Sequence, residues 1–323
     1  MPVVAFFKEE TSIEVQNIWE KRLKIFIPSI TLVPLLSNEA KKAEIALLWK
    51  APLKRLNKLK NLKGLISLGQ GVDHILSNNS IPNNVHVIRI VDPYMAKSMS
   101  HWIILSVLNY IRDTQGYYDQ AKNMIYKPRD EINFLSVKIG IYGIGAIGGV
   151  VAQDLNSLGF DVNGWSRTKK NINGIKCFEG KEGFDILIKN SNVHVCLLPL
   201  TSSTVNIFNN SVFKSMKKGA SFINAGRGEH VVEDDLIENC QSGQISHAVL
   251  DVYRKEPLPA NDPLWKQDNI TLWPHVAAET NPNTAAEQIA NAISCLNNNI
   301  IPPNLLTKIP SKKQIRYCYK LKL

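Results

Sequence analysis

The feature that most constrains the fold is an apolar strand, a glycine turn and a helix start that follow one another near the middle of the chain. The run Val137–Tyr142 is typical of a buried strand, and Val150–Leu158 is typical of a helix. Between them, Gly143, Gly145 and Gly148 have the G-x-G-x-x-G spacing of a dinucleotide-binding loop. These glycines would allow a sharp turn, a close approach of pyrophosphate to the backbone, and close packing of helix on sheet.

Helix-like and strand-like segments alternate on both sides of this loop, which predicts an α/β fold with parallel, doubly wound sheets. In the first hundred residues the predicted strands are Val3–Phe7, Ile45–Leu48, Leu65–Leu68 and Val85–Ile90, with helices near Ile13–Arg22 and Pro52–Leu59. A long helix is predicted over Ser98–Thr114. The second series of strands is predicted at Val137–Tyr142, Asp161–Trp165, Val193–Leu197, Ser221–Asn224, Ala248–Val252 and Ile270–Leu272. Six strands suit a dinucleotide-binding sheet built from two halves.

A length of 323 residues favours two domains. The helix predicted over Asn283–Leu296 is expected to return the chain to the first domain, which would therefore be discontinuous. We expect residues 1–97 and 283–323 to form a substrate-binding domain, with the dinucleotide-binding domain, residues 98–282, inserted between its two parts.

The net charge of +10 raises the hypothesis of nucleic-acid binding. Much of the excess lies in the acid-free segment 308–323 and in the basic segment 50–63, so a solvated surface and a basic tail are favoured. Five scattered cysteines, odd in number and without C-x-x-C spacing, favour reduced thiols and a cytoplasmic protein over a disulfide framework or metal site. No segment is apolar for long enough to predict a membrane span.

The end of the second strand of the dinucleotide-binding domain predicts which coenzyme is preferred. An NAD-specific fold usually has an acidic residue there, which bonds the ribose hydroxyls. This chain has instead Ser166, Arg167, Thr168 and Lys169. A guanidinium binds phosphate through two parallel hydrogen bonds, so we expect NADP(H) to be preferred, with NAD(H) as a possible second coenzyme. The alternative is that Arg167 is a solvated loop residue.

Three later stretches each follow a predicted strand and contain Arg227, Glu256 and His275. Because parallel strands end at the same edge of a sheet, we expect these side chains to converge near the glycine loop. Each has an ordinary alternative: Arg227 as a helix cap or a ligand of a cofactor phosphate, Glu256 as a turn residue before proline, and His275 as a structural histidine.

In their order and combination these motifs resemble the D-isomer-specific 2-hydroxyacid dehydrogenase family, most closely its glyoxylate/hydroxypyruvate reductase A group. The resemblance extends from Trp49 to the helix near Leu296. It rests on Leu68–Asp73, the glycine loop, Trp165–Thr168, Asn224–Leu236, Asp251–Pro259 and Pro274–Ala278. It implies a Rossmann-type domain inserted into a flavodoxin-like domain, and a homodimer that reduces small 2-oxo acids such as glyoxylate and hydroxypyruvate by hydride transfer.

The resemblance also implies roles for particular residues. Arg227 would bind the carboxylate and carbonyl of the 2-oxo acid, and His275 would protonate the carbonyl oxygen as hydride reaches the carbon. Glu256 would orient the imidazole and favour its charged form. Coenzyme contacts would come from Gly143, Gly145, Ala146, Ile147, Gly148, Ser166, Arg167, Thr168, Lys169, Leu198, Pro199, Leu200, Ala225, Asp251 and His275.

The substrate carboxylate would be held by the backbone amides of Gln70 and Gly71. Trp49 and Met99 are candidates for the substrate pocket, with core packing as the alternative for both. Ser100 and His101 stand where an acidic residue is common in the family, and His101 lies either near the substrate or on a helix surface. The segment after Ile301 departs from the family pattern, which leaves open a dehydrogenase for a larger 2-oxo acid. The rival from another class is a nicotinamide-sensing binding protein without catalysis.

Overall fold

The computed structural model describes residues 2–9, 12–76, 81 and 84–306. These residues divide into two compact units, each with its own parallel sheet. The first unit contains the described residues up to Tyr94 and those from Thr280 onward, and the second unit runs from Met95 to Glu279. The basic segment 308–323, for which a tail was expected, lies outside the described residues.

The first unit is built on a five-stranded sheet of parallel strands in the order β2-β1-β3-β4-β5. This is the flavodoxin-like order of a doubly wound fold, as expected. One face is covered by α1 and α9, and the other by α2 and short 3-10 helices. The elements are β1 Val3–Lys8, α1 Ile13–Leu23, β2 Thr31–Pro34, β3 Ile45–Trp49, β4 Gly64–Ser67, α2 Asp73–Leu76, β5 His86–Ile88 and α9 Pro282–Asn297, with 3-10 helices at Glu39–Lys42 and Leu53–Lys58.

The second unit is built on a seven-stranded parallel sheet in the order β12-β11-β10-β9-β6-β7-β8. The first six strands along the chain have the Rossmann order, with β12 added at one edge. Its strands are β6 Lys138–Tyr142, β7 Asp161–Ser166, β8 Lys176–Glu179, β9 Val193–Cys196, β10 Ala220–Asn224, β11 Ile245–Leu250 and β12 Ile270–Leu272. Its helices are α3 Pro93–Ile111, which begins in the first unit, α4 Thr114–Lys122, α5 Ala146–Ser157, α6 Gly180–Asn190, α7 Asn210–Ser215 and α8 Glu233–Gln241, with 3-10 helices at Phe134–Ser136, Gly228–His230 and Pro263–Lys266.

The central strands of both sheets are buried and mostly apolar because helices cover both of their faces. In β3, every residue from Ile45 to Leu48 is buried. Helix α9 begins where the Asn281 side chain accepts a hydrogen bond from the N–H of Asn283, with Pro282 at its first position. Its buried face, which includes Ile289 and Ile293, packs against the first sheet.

Several sequence expectations differ from the structure. Strand β2 was not predicted because it is a short edge strand that ends in Pro34, and proline is tolerated only at such positions. Strand β8, also at an edge, makes the second sheet seven-stranded where six strands were expected. The predicted helix Pro52–Leu59 is a 3-10 helix in which Leu56 is buried and the basic side chains are exposed.

The crossings between the units lie three residues before the expected positions, at 94/95 and 279/280 where 97/98 and 282/283 were expected. Helices α3 and α9 also begin earlier than predicted, at Pro93 and Pro282. Among the described helices, none combines the length and the apolar character that a membrane span requires. The four described cysteines form no disulfide.

Candidate functional site

The glycine loop joins β6 to α5 at the carboxyl edge of the second sheet. Gly143 has φ +103, and a Cβ there would lie 2.5 Å from the carbonyl oxygen of Leu197. A Cβ on Gly148 would lie 2.1 Å from the carbonyl oxygen of Gly143. Both positions therefore need glycine for the fold itself. Gly145 is different, because a Cβ there would meet no protein atom within 4 Å.

The open space at Gly145 is the place where the structure fits a dinucleotide. Helix α5 begins directly after it at Ala146, so the unbonded N–H groups of its first turn face a region that a pyrophosphate could enter. The neighbouring strand ends are those of β6 and β9, where the strand order reverses. Ligands of open α/β sheets bind at such a reversal. Leu198, Pro199 and Leu200 follow β9 at this point, one residue after the strand ends.

The turn after β7 carries the residues expected to select the coenzyme. Arg167, Thr168 and Lys169 are exposed, and none of the positions 165–170 is acidic. The Ser166 hydroxyl donates a hydrogen bond to the carbonyl oxygen of Thr168 over 2.7 Å, which fixes the turn locally. The turn therefore presents a guanidinium and an ammonium to solvent from a defined backbone.

His275 and Glu256 form a hydrogen-bonded pair. The distance from His275 Nδ1 to Glu256 Oε2 is 2.8 Å, and the two side chains are 29% and 19% exposed. His275 has φ +58, a left-handed conformation that non-glycine residues adopt rarely. Such conformations persist only where the surroundings impose them, and they are concentrated at functional sites.

Asp251, which directly follows β11, holds the backbone on the carboxyl side of His275. Its carboxylate accepts hydrogen bonds from the N–H groups of Val276, over 2.8 Å, and Ala277, over 3.1 Å. Burial raises the pKa of Asp251 to about 6, with a smaller contribution from Glu256, while the two backbone hydrogen bonds and His275 oppose the shift. The left-handed backbone of His275 is thus anchored by a carboxylate that is nearly enclosed.

Tyr253 is hydrogen-bonded both to Glu256 and to the segment that precedes His275. Its hydroxyl lies 2.8 Å from the carbonyl oxygen of Trp273 and 3.1 Å from that of Leu250. Its backbone N–H donates to Glu256 Oε1 over 3.1 Å. Burial raises the pKa of the Tyr253 phenol well above its usual range, so the hydroxyl stays a donor at any working pH. Each oxygen of Glu256 therefore has its own donor, Tyr253 for one and His275 for the other.

Arg227 lies in the turn after β10, and its backbone is held by two buried side chains. Asn224 donates from Nδ2 to the carbonyl oxygen of Arg227 over 3.0 Å, and its Oδ1 accepts from the N–H of Gly226. The N–H of Arg227 donates to His230 Nδ1 over 3.1 Å. The guanidinium Nη1 donates to the carbonyl oxygen of Gly226 over 2.7 Å. Ala225, in the same turn, is buried.

The first unit carries the expected substrate-binding turn. The Ser67 hydroxyl accepts from the N–H of Gly69 and donates to the carbonyl oxygen of Gly71, with Gln70 between them. The ring of Trp49 covers Gly69 so closely that a Cβ there would lie 2.3 Å from it. Trp49 ends β3, beside β1, where the strand order of this sheet reverses.

Two other predicted positions lie on α3. Met99 is buried in the apolar core of the second unit, and His101 is exposed on the helix surface. Among the described residues, no group of three or more histidine, cysteine or acidic side chains is arranged to hold a metal ion.

Comparison with known proteins gives the family. Residues 104–277 match the family model for the NAD binding domain of D-isomer specific 2-hydroxyacid dehydrogenases. The chain is 34% identical to glyoxylate/hydroxypyruvate reductase A of Yersinia enterocolitica over 283 residues, which cover 86% of this chain and 90% of the relative. The chain therefore belongs to the D-isomer-specific 2-hydroxyacid dehydrogenase family, whose members are NAD(P)-dependent oxidoreductases that act on small 2-oxo and 2-hydroxy acids.

Solved structures agree with this assignment. A D-isomer specific 2-hydroxyacid dehydrogenase from Xanthobacter autotrophicus Py2, in complex with NADPH and MES, superimposes with a TM-score of 0.88 at 31% identity, covering 94% of this chain and 98% of that one. An NADPH-dependent glyoxylate/hydroxypyruvate reductase from Sinorhizobium meliloti, in complex with NADP and sulfate, superimposes with a TM-score of 0.86 at 28% identity, covering 95% and 98%.

Sequence reasoning assigned no role to Asn224, His230 or Tyr253. Asn224 and His230 bond the backbone of Arg227 within their own turn. The Tyr253 hydroxyl also bonds the carbonyl oxygen of Trp273, 20 residues further along the chain. Tyr253 alone gives a weak signal, because a tyrosine that is buried usually finds a hydrogen-bond partner for its hydroxyl.

Proposed function

We propose that this protein is an NADPH-preferring reductase of small 2-oxo acids, with glyoxylate and hydroxypyruvate as the expected substrates. The observation that carries the proposal is the His275–Glu256 pair, with His275 in a left-handed backbone, at the edge of a sheet that also carries the glycine loop. A histidine oriented through Nδ1 by a carboxylate leaves Nε2 as its proton-transferring atom.

His275, Glu256 and Arg227 each have a separate role in the proposed reaction. The nicotinamide, when bound, supplies the hydride that reaches the carbonyl carbon. The protonated His275 gives its Nε2 proton to the carbonyl oxygen, so that the 2-oxo acid becomes a 2-hydroxy acid. Glu256 accepts from Nδ1–H and stabilises the imidazolium. The Arg227 guanidinium binds the substrate carboxylate and polarises the carbonyl.

The coenzyme preference rests on the turn after β7. Its exposed Arg167 and Lys169 favour a 2′-phosphate, and the absence of a carboxylate there removes the usual bond to an unphosphorylated ribose. Similar proteins support this, because two solved structures contain NADPH or NADP.

The substrate preference is supported by the 34% identity to a glyoxylate/hydroxypyruvate reductase A over most of the chain. Backbone recognition of the carboxylate at Gln70 and Gly71, and pocket roles for Trp49 and Met99, stay predictions. The homodimer and the cytoplasmic location also stay predictions.

The test is a spectrophotometric screen of glyoxylate, hydroxypyruvate, pyruvate and phenylpyruvate with NADPH and with NADH. We expect the highest kcat/KM for glyoxylate or hydroxypyruvate with NADPH. A clear preference for phenylpyruvate would indicate a dehydrogenase for larger acids. Coenzyme binding without turnover of any 2-oxo acid would indicate a nicotinamide-sensing protein and reject the proposal.

A further inference from the structure

The backbone of Arg227 is held on both sides by groups that are fully buried. Its N–H donates to His230 Nδ1 over 3.1 Å. Its carbonyl oxygen accepts from Asn224 Nδ2 over 3.0 Å and from the backbone N–H of His230 over 3.2 Å. Asn224 and His230 both have 0% exposure. The Arg227 peptide is therefore bonded to two enclosed side chains, one on its N–H and one on its carbonyl oxygen.

The contact with Arg227 fixes the hydrogen-bonding role of His230. A ring nitrogen that accepts a hydrogen bond must be unprotonated, so Nδ1 is the acceptor and the neutral ring carries its proton on Nε2. The ring has little freedom to move, because Cys196 Sγ lies 3.5 Å from Nδ1. A Cβ on Gly226 would lie only 3.0 Å from the same nitrogen. His230 therefore offers one acceptor at one place.

We propose that His230 is a positioning residue that acts through Arg227: its Nδ1 holds the Arg227 peptide so that the guanidinium binds the substrate carboxylate in a single orientation. This inference rests on the proposed function. The arginine side chain is long and has several rotatable bonds, so a shift of the Arg227 backbone also displaces the guanidinium. Misplacement of a substrate-positioning group by about 1 Å can cost on the order of 100-fold in rate.

Two substitutions of His230 separate the effect of losing the hydrogen-bond acceptor from the effect of losing the volume of the ring. His230→Asn keeps an acceptor, Oδ1, near the position of Nδ1, whereas His230→Leu removes it at similar volume. We expect His230→Leu to lower kcat/KM for glyoxylate by about 10- to 100-fold, mainly through KM. We expect His230→Asn to stay within about threefold of the native enzyme, and the NADPH dissociation constant to be unchanged in both variants. If the leucine variant does not fold, His230→Gln takes its place, since its acceptor lies farther from the backbone.

His194 supplies a matched control for the loss of a buried histidine. It is also 0% exposed and lies on β9, and its Nδ1 is hydrogen-bonded to the Tyr142 hydroxyl over 2.9 Å. His194→Leu is expected to lower the melting temperature but to change kcat/KM by less than about threefold. If it lowers kcat/KM as much as His230→Leu does, the effect of His230 is general destabilisation and the proposal is overturned.

A double-mutant cycle tests whether His230 acts through Arg227. Arg227→Ala removes the guanidinium, so adding His230→Leu to it is expected to change kcat/KM by less than about twofold. A double variant that shows the full additional loss would overturn the proposal, and so would a single His230→Leu variant with native kcat/KM. If the native protein turns over no 2-oxo acid, the proposed function and this inference are both rejected. If the native protein is active and His230→Leu has the same activity, only the inference is rejected.

Discussion

Glu256→Gln is the substitution that most sharply tests the pairing with His275. The native carboxylate has two acceptor oxygens, and each faces one donor: the N–H of Tyr253 for Oε1 and His275 Nδ1–H for Oε2. An amide of the same shape has one acceptor and one donor group. If the amide N–H of the substituted side chain faces Tyr253, two donors meet. If it faces His275, Nδ1 must act as acceptor, so the imidazole loses the Nδ1–H that orients it.

The expected loss follows from the energy of a hydrogen bond to a charged group, about 1.5–3 kcal/mol. Since each 1.36 kcal/mol is tenfold in rate, kcat/KM would fall by about 10- to 150-fold. The side chains of His275 and Glu256 are 29% and 19% exposed, so water screens part of their attraction and a value in the lower half of this range is expected.

The assay is steady-state consumption of NADPH with glyoxylate, with the melting temperature measured for every variant. Glu182→Gln is the control, because it makes the same chemical change at an exposed position on α6. If Glu256→Gln keeps kcat/KM within twofold of the native enzyme, Glu256 does not support His275 in catalysis.

Three further predictions concern the coenzyme loop, the coenzyme preference and pH. Gly145→Ala is expected to leave the unfolding free energy within about 0.5 kcal/mol of the native value but to weaken NADPH binding at least about tenfold in fluorescence titrations. Gly148→Ala is expected to destabilise the fold by several kcal/mol, as overpacking of a core does. Equal destabilisation by the two substitutions would contradict the open space at Gly145. Arg167→Gln is expected to raise the KM for NADPH about tenfold and to leave that for NADH unchanged; equal changes would remove Arg167 from phosphate recognition. Burial raises the pKa of Asp251 to about 6, above the unfolded value of about 4, so the native state binds a proton that the unfolded chain releases. The measurement is the difference in unfolding free energy between the native protein and Asp251→Asn, taken from urea titrations. This difference is expected to fall by on the order of 2 kcal/mol as the pH rises from about 4 to about 7. A difference that stays constant over this range would contradict the raised pKa.

Most of the fold could be predicted because parallel strands buried on both faces appear in the sequence as short apolar runs between helical patterns. The edge strands β2 and β8 were not predicted because they lack such an apolar run. They are short, polar or proline-containing, and their pairing with β1 and β7 is a tertiary contact. The 3-10 helix Leu53–Lys58 has the apolar spacing of an α-helix, and the spacing alone does not distinguish the two.

The candidate site could be predicted in part. The glycine spacing follows from the needs of a tight turn, and Gly143 and Gly148 indeed have no room for a side chain. The pairing of Glu256 with His275 was expected only from the family resemblance, since 19 residues separate them. The bond from the Tyr253 hydroxyl to the carbonyl oxygen of Trp273 depends on the folded path of the chain. His230 lies only three residues from Arg227, but a histidine at that spacing does not by itself predict a hydrogen bond to the backbone.

In the proposed reaction His275 donates the proton while hydride reduces a small 2-oxo acid. The most direct measurement is kcat of His275→Ala with saturating glyoxylate and NADPH, at a melting temperature close to that of the native protein. We predict a fall of about 100-fold or more, the scale of general acid catalysis. A folded variant that reduces glyoxylate at a near-native rate would contradict the account.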